Sequence, residues 1–353
     1  MDTGTHEIYL QRCFQLAKLG AGNVAPNPMV GAVLVYENRI IGEGYHQQYG
    51  EAHAEVHCIQ HALEQHAGLI EQSTLYVSLE PCAHYGKTPP CADLIIRHRI
   101  PRVVVGCRDH FEAVNGKGIE KLRNAGVEVI EQIATREAIT LNKRFFTFHG
   151  LKRPYIILKW AQTRDGIMAS GNAERLKISN PATNRLVHRW RSEEAAIMVG
   201  AGTAMKDDPL LDNRHWFGKA PLKIVLSGSG SLPEELKLFH AGNETWVFNR
   251  GQTKKLGRAA WINVENDHLI KGMLDILFER RIQSVFVEGG RQLLQSFVDA
   301  GVWDEARVIT NTAMIAGGGL RAPLLKEQAL LQTSTIDTDE ITVYKNIHNQ
   351  FIV

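Results

Sequence analysis

Glu80-Pro81-Cys82-Ala83-His84-Tyr85-Gly86-Lys87-Thr88-Pro89-Pro90-Cys91 decides how the first half of this chain is read. Its two thiols can meet at one point across the intervening residues, and Pro89-Pro90 marks Cys91 as a helix start. Upstream stands His53-Ala54-Glu55. One imidazole and two thiolates, from His53, Cys82 and Cys91, make three zinc ligands with a fourth position left for water. Zinc lowers the pKa of such a water to about 7. Glu55 offers the carboxylate that takes the water's proton and returns it to a leaving amine. The set has the chemistry of a base deaminase.

Geometry adds a condition. Mid-helix, residues i and i+2 point about 200° apart. His53 and Glu55 therefore share a site only if His53 stands at the very start of a helix, before the backbone is helical. Two helix N-termini then converge on one metal, their positive ends favouring thiolate and hydroxide. His57 and His61 follow at helical spacing. They read as a solvated histidine face, or His57 reads as a rival metal partner for His53. Cys13, Cys58 and Cys107 lie outside the motif and read as buried structural thiols.

Around this stretch, 353 residues suggest two domains, and 44% hydrophobic with 22% charged residues is the balance of a chain with real cores. Forty basic residues against 38 acidic give a net charge of +2, which favours neither nucleic acid nor a membrane surface. The opening MDTGTHEIYL has no basic region followed by an apolar run, and no stretch reaches the roughly 18 apolar residues of a membrane span, so a cytoplasmic setting is expected. Five cysteines, an odd number, argue against a disulfide framework.

Both halves alternate strand and helix. Periodicity predicts a helix over Glu7–Lys18, strands Val30–Tyr36 and Ile40–Tyr45 across the turn Glu37-Asn38, and a helix over Ala54–Gln65. A strand at Leu75–Ser78, a helix from Cys91 to about Arg97 and a strand at Val103–Gly106 follow. Helix Gly118–Ala125, strand Val127–Ile130 and helix Arg136–Phe148 complete the half. The pattern breaks at His149-Gly150-Leu151-Lys152-Arg153-Pro154, a short polar joint. Strands then fall at Tyr155–Trp160, Ala196–Gly200, Lys223–Leu226, Thr245–Phe248, Ser284–Glu288 and Arg307–Thr310. Helices fit Asn184–Arg191, Ile270–Arg280 and Gln292–Ala300. The expected class is α/β, with a largely parallel sheet and helices on both faces. The expected domains are 1–150 and 151–353.

The insert between Cys82 and Cys91, with Pro26-Asn27-Pro28-Met29-Val30-Gly31 and Gly42-Glu43-Gly44-Tyr45-His46, closely resembles the bifunctional riboflavin-biosynthesis deaminase/reductase family. The resemblance covers essentially the whole chain, and its motif at 80–91 is highly specific. It implies a cytidine-deaminase-like α/β/α domain at 1–150 and a dihydrofolate-reductase-like α/β domain at 151–353. It implies zinc, one per chain, on His53, Cys82 and Cys91, with Glu55 as proton shuttle. The first step would remove the 2-amino group of 2,5-diamino-6-(5-phosphoribosylamino)pyrimidin-4-one. Asn27, His46, His84 and Lys87 become candidate contacts to its base and phosphate.

In the second half the resemblance rests on Asp165-Gly166, on Trp190-Arg191-Ser192 through Val199-Gly200-Ala201-Gly202-Thr203 to Asp207-Asp208-Pro209-Leu210 and Arg214, and on Val287-Glu288-Gly289-Gly290-Arg291. It implies reduction of the opened ribosyl group to ribityl by NADPH. Cofactor contacts would fall on Gln162, Thr203, Asp207, Gly290, Arg291, Gln292, Leu293, Leu294, Gln295 and Ser296. Sugar-phosphate contacts would fall on Arg191, Leu211, Arg214 and Glu288. The strand running into Gly289-Gly290 and then a helix makes sense alone, because free amides and the helix dipole face an incoming phosphate. The absence of a G-x-G-x-x-G after the first strand argues against a Rossmann domain.

The chain also departs from the family. Arg175-Leu176-Lys177-Ile178-Ser179 stands where Ser-x-Trp-Ile-Thr/Ser is usual, so Arg175 is expected at the substrate and Lys177 at the cofactor. Gly228 replaces a common cofactor-contacting serine. Expected partners are a small pyrimidine nucleotide and copies of the same chain, as a dimer or tetramer, with no nucleic acid and no membrane. A nucleic-acid-editing deaminase would need a basic, aromatic-lined channel, which the near-neutral charge does not support. An alternative makes the second half a nucleotide-binding module without chemistry.

Overall fold

The computed structural model describes residues 3–85, 89–109, 116–171, 176–240, 242–251, 253–265, 268–349 and 351. The chain divides into two compact units, Met1–Leu151 and Lys152–Ile352. No helix among the described residues is long and apolar enough to cross a membrane.

Unit 1 runs α1 (Thr3–Ala17), β1 (Gly31–Tyr36), β2 (Arg39–Tyr45), α2 (Ala54–His66), β3 (Thr74–Leu79), α3 (Cys91–Arg97) and β4 (Arg102–Cys107). It closes with α4 (Lys117–Asn124), β5 (Glu128–Ile130), α5 (Thr135–Leu141) and α6 (Lys143–Leu151). The sheet order is β2-β1-β3-β4-β5. β1 is antiparallel to both neighbours, whereas β3, β4 and β5 are parallel, so only β1 runs against the rest. The hairpin explains this: Glu37 and Asn38 both take positive φ, and so tight a turn can only return the chain antiparallel.

Strand alternation sorts the side chains onto two faces. Ala32, Leu34, Leu75, Val77, Val103 and Val105 pack with Ala54, Cys58, Ile59 and Ala62 of α2, Ala92 and Ile95 of α3, and Leu122 of α4. On the other face Tyr76 meets α1, its ring tilted 45° against Tyr9 at 4.9 Å between centroids and its hydroxyl 2.9 Å from His6 Nδ1. The helix expected over 136–148 is two helices. They part at buried Asn142, whose amide accepts from Met29 N at 2.8 Å and donates to Met29 O at 2.9 Å. Because α6 continues to Leu151, the joint shrinks to residues 152–154.

Unit 2 opens with β6 (Tyr155–Thr163), β7 (Ile167–Ala169), α7 (Pro181–Glu193), β8 (Ala196–Gly200), α8 (Ala201–Asp207), β9 (Leu222–Leu226), α9 (Lys237–His240) and β10 (Thr245–Asn249). It continues with β11 (Lys254–Leu256), β12 (Ala259–Asn263), α10 (Leu269–Glu279), β13 (Ser284–Val287), α11 (Arg291–Asp299), β14 (Glu305–Asn311), β15 (Leu320–Arg321), β16 (Gln328–Ile336) and β17 (Asp339–Asn346). The large sheet has the order β11-β12-β10-β9-β8-β13-β6-β14-β17-β16, and β7 pairs with β15 separately. From β12 to β14 every pairing is parallel; β11, β17 and β16 join antiparallel at the edges. Both units are therefore α/β as expected, with antiparallel additions that the periodicity did not foretell. Helices α10 and α11 cover one face through Met273, Leu274, Leu277, Leu294 and Phe297. Val187 and Trp190 of α7 cover part of the other. Parallel strands bring all their C-terminal ends to one edge, where ligands of open α/β sheets bind.

Candidate active sites

In unit 1, His53 is the residue preceding α2, with φ −77° and ψ 168°, so it has the extended backbone the spacing demanded. Cys91 opens α3 behind Pro90. His53 Nδ1 lies 3.7 Å from Cys82 Sγ and 3.4 Å from Cys91 Sγ. The ligand atoms of His53, Cys82 and Cys91 all lie within 4.8 Å of one another. His57 does not join this group, so it is no rival ligand among the described residues. Two local bonds hold the thiols: Cys91 N donates to Cys82 Sγ at 3.3 Å, and Ala92 N donates to Cys82 O at 3.1 Å.

The electrostatics suit a cation. The hydrogen bond from the Cys91 thiol and that from His53 bring Cys82 down to about 4, against burial. Cys91 is pushed up by its bond to that thiolate and by burial. One nitrogen and two sulfurs, one of them already anionic, fit zinc in the open, catalytic arrangement. Glu55 is 3% exposed, and burial pushes its carboxyl above the ordinary range while His53 opposes.

His46 stands beside the ligand, its ring edge-on to His53 at 5.3 Å between centroids. Its Nδ1 lies 3.0 Å from Ala52 O and its Nε2 lies 3.1 Å from Asn27 Nδ2. The Ala52 carbonyl can only accept, so Nδ1 carries the proton and Nε2 accepts from Asn27. Burial lowers the His46 pKa. Asn27 and His46 thus come together next to the metal ligands. His84 is exposed, and Lys87 lies outside the described residues.

Glu80 escaped the sequence reading. Its buried carboxylate accepts from Asp109 N at 3.1 Å, Gly116 N at 3.0 Å, Gly118 N at 2.9 Å and Ile119 N at 3.3 Å. A glutamate before Pro-Cys carries no signal for this, since every donor is backbone from far along the chain.

In unit 2, β13 runs into Glu288-Gly289-Gly290 and then α11. Gly290 has φ +33°, a conformation side chains rarely adopt, and a Cβ there would come within 2.9 Å of Thr203 Oγ1 on α8. A Cβ on Gly289 would stand 3.0 Å from the Val199 backbone of β8. Neither α8 nor α11 has a side-chain N-cap, so two sets of first-turn amides lie together at the C-terminal sheet edge. Backbone donors, bare glycine and Thr203 form a cradle that fits a dinucleotide phosphate. Of the other expected cofactor contacts, Arg291, Gln292, Asp207 and Lys177 are exposed, and Gln295 and Ser296 are half-buried. Leu293 and Leu294 turn into the core. Gln162 is held by Trp160 Nε1 at 2.9 Å and by Thr310 Oγ1 at 3.2 Å.

Arg191 and Glu288 meet as a bidentate pair, at 2.5 Å and 2.9 Å, and Arg191 also donates to Asp212 O at 2.7 Å. Lys159, which sequence reading did not select, reaches Glu288 at 3.8 Å. Burial would push the Glu288 carboxyl up, but Arg191 and Lys159 outweigh it and hold it at about 2. Leu211 is buried with positive φ, and Arg214 pairs with Asp212. Arg175 lies outside the described residues.

Residues 154–346 match the family described as the RibD C-terminal domain, and residues 3–107 match the cytidine and deoxycytidylate deaminase zinc-binding region. The chain is 40% identical to the riboflavin biosynthesis protein RibD of Aquifex aeolicus over 88% of each chain. With that of Escherichia coli it shares 35% identity over 85% of each. The crystal structure of the diaminohydroxyphosphoribosylaminopyrimidine deaminase/5-amino-6-(5-phosphoribosylamino)uracil reductase from Thermotoga maritima matches with a TM-score of 0.90 at 35% identity, covering 98% of this chain and 99% of that one. RibD of Acinetobacter baumannii matches with a TM-score of 0.88 at 29% identity over the same shares. This chain therefore belongs to the bifunctional deaminase/reductase family of riboflavin biosynthesis, with a zinc-dependent deaminase in its first half and an NADPH-dependent reductase in its second.

Proposed function

We propose that unit 1 hydrolyses the 2-amino group of 2,5-diamino-6-(5-phosphoribosylamino)pyrimidin-4-one and that unit 2 then reduces the opened ribosyl group to ribityl. The observation that carries the reading is the convergence of His53, Cys82 and Cys91 beside buried Glu55. Zinc, when bound, supplies the Lewis acidity that brings a water's pKa near 7. The Glu55 carboxylate takes that water's proton and delivers it to the amino nitrogen, which leaves as ammonia while the carbon keeps the oxygen. Asn27 and His46, polar and next to His53, orient the pyrimidine, and His84 and Lys87 contact base and phosphate.

NADPH, when bound, supplies the hydride to the ribosyl carbon. The amides of α8 and α11 around Gly290 would hold its phosphates, and Thr203, Asp207, Gln162 and Lys177 would contact it. Arg191, Leu211, Arg214, Glu288 and Arg175 form the sugar-phosphate side. Domain limits at 1–150 and 151–353 follow the same division. We further propose a cytoplasmic setting, which keeps thiols such as Cys82 and Cys91 reduced, and a homodimer or homotetramer, to which exposed Leu330 on edge strand β16 would contribute. Mass spectrometry of the purified chain with the diaminopyrimidine nucleotide tests the chemistry. The aminouracil should form without NADPH and the ribityl product only with it. Absence of the first product removes the deaminase assignment, and NADPH left unoxidised makes unit 2 a binding module.

A further inference from the structure

The Glu80 side chain does nothing in the chemistry above, yet it is one of the most fully bonded carboxylates in unit 1. Each oxygen accepts two backbone amides: Oε2 from Asp109 at 3.1 Å and Gly116 at 3.0 Å, Oε1 from Gly118 at 2.9 Å and Ile119 at 3.3 Å. Four bonds fill the acceptor capacity of a carboxylate. Gly116 precedes α4, and Gly118 and Ile119 lie in its first turn, where amides have no partner inside the helix. Glu80 N in turn donates to Cys107 O at 3.1 Å, which ties the same residue to the end of β4.

The clamp reaches the metal site through one peptide. A Cβ on Gly118 would overlap the Pro81 carbonyl oxygen and come within 3.2 Å of Glu80 Oε1, so the start of α4 lies flat against residues 80–81. The next residue is Cys82, whose carbonyl accepts from Ala92 N and whose sulfur accepts from Cys91 N. The segment that carries the first thiolate is thus fixed on one side by α4 and on the other by α3.

We propose that Glu80 is a positioning residue for the metal centre: by clamping the start of α4 onto Pro81 it sets the backbone angle at which Cys82 presents its sulfur. The inference rests on the zinc reading of unit 1. Outer supports of a metal site typically change its affinity about 10- to 100-fold when removed. Glu80→Gln keeps the shape but puts an NH₂ against two amide donors. Gly118→Ala attacks the same contact from the α4 side and leaves the carboxylate in place.

The test uses the full chain loaded with one equivalent of zinc, challenged with a chelator, and separately loaded with cobalt(II) for absorption spectroscopy. In both variants zinc release should be at least about tenfold faster than in the parent. The sulfur-to-cobalt band should lose intensity, while NADPH oxidation with the pre-deaminated substrate stays unchanged, showing an intact second unit. If Glu80→Gln does not fold, Gly118→Ala alone decides. Release within twofold of the parent and a superimposable cobalt spectrum in a folded variant would overturn the proposal. A parent chain that binds no zinc would instead reject the reading of unit 1.

Discussion

Glu55 sits almost out of contact with water, and burial pushes its carboxyl above the ordinary glutamate range; a general base must take a proton and give it back. Glu55→Gln retains the volume but not the proton site, and losing a general base typically costs about 10²–10⁴ in rate. Deamination should fall by that factor, with zinc content and reductase activity those of the parent; metal analysis and both assays check it. Glu288 makes the opposite case. Its carboxyl is held at about 2 by Arg191 and Lys159 against burial, so the folded pKa lies below the unfolded one. The pair's stabilisation is then fully present above the ordinary glutamate pKa of about 4.3 and lost as pH falls from there towards 2. Arg191→Met leaves a buried carboxylate short of its main partner and should destabilise unit 2 by about 3 kcal/mol at pH 7. The deficit should shrink on acidification, which denaturant melts at pH 7 and pH 3 would show. His53, Glu55, Cys82 and Cys91 were legible because metal chemistry restricts residue type and spacing. Lys159 and Glu80 were not, because what they bond lies more than 25 residues away in the chain.

At the scale of elements, the cores were readable and the irregularities were not. The strands at 155–160, 196–200 and 284–288 show as apolar runs because they are buried on both faces. In the hairpin β16–β17, β16 is largely exposed on both faces, so alternation is lost and no period marks it. Nor does any local signal reveal the break at Asn142, since its partner is the backbone of Met29. The turn into α11 was readable as Gly289-Gly290, but only the fold shows how each glycine is constrained. Gly290→Val adds a branched side chain where φ is +33° and Thr203 already fills the space. The KM for NADPH should rise at least about tenfold, with α11 retained and the sugar-phosphate KM little changed, because the cost falls on the amide cradle. Equal rises in both KM values would place the phosphates elsewhere.

For the whole molecule, the break in periodicity near residue 150 and the division into two compact units nearly coincide, because a polar joint is where few contacts cross. What the joint does was hidden. Arg153 lies within it, yet its guanidinium forms a bidentate pair with Asp304 at 2.7 Å on both arms. Asp304 is fully buried, and also accepts from Ile156 N and Asn349 Nδ2 at 2.6 Å each. A buried carboxylate stripped of its cationic partner is strongly destabilising. The place of a cut therefore matters more than the number of residues lost. A fragment of residues 152–353 should fold and oxidise NADPH with the pre-deaminated substrate, and one of residues 1–151 should bind zinc. A fragment starting at Tyr155 loses Arg153 and should be less stable than 152–353 by about 3 kcal/mol. Arg153→Met in the longer fragment should reproduce most of that loss. Urea melts of the three proteins decide it: equal midpoints would show that the Arg153–Asp304 pair contributes nothing to unit 2.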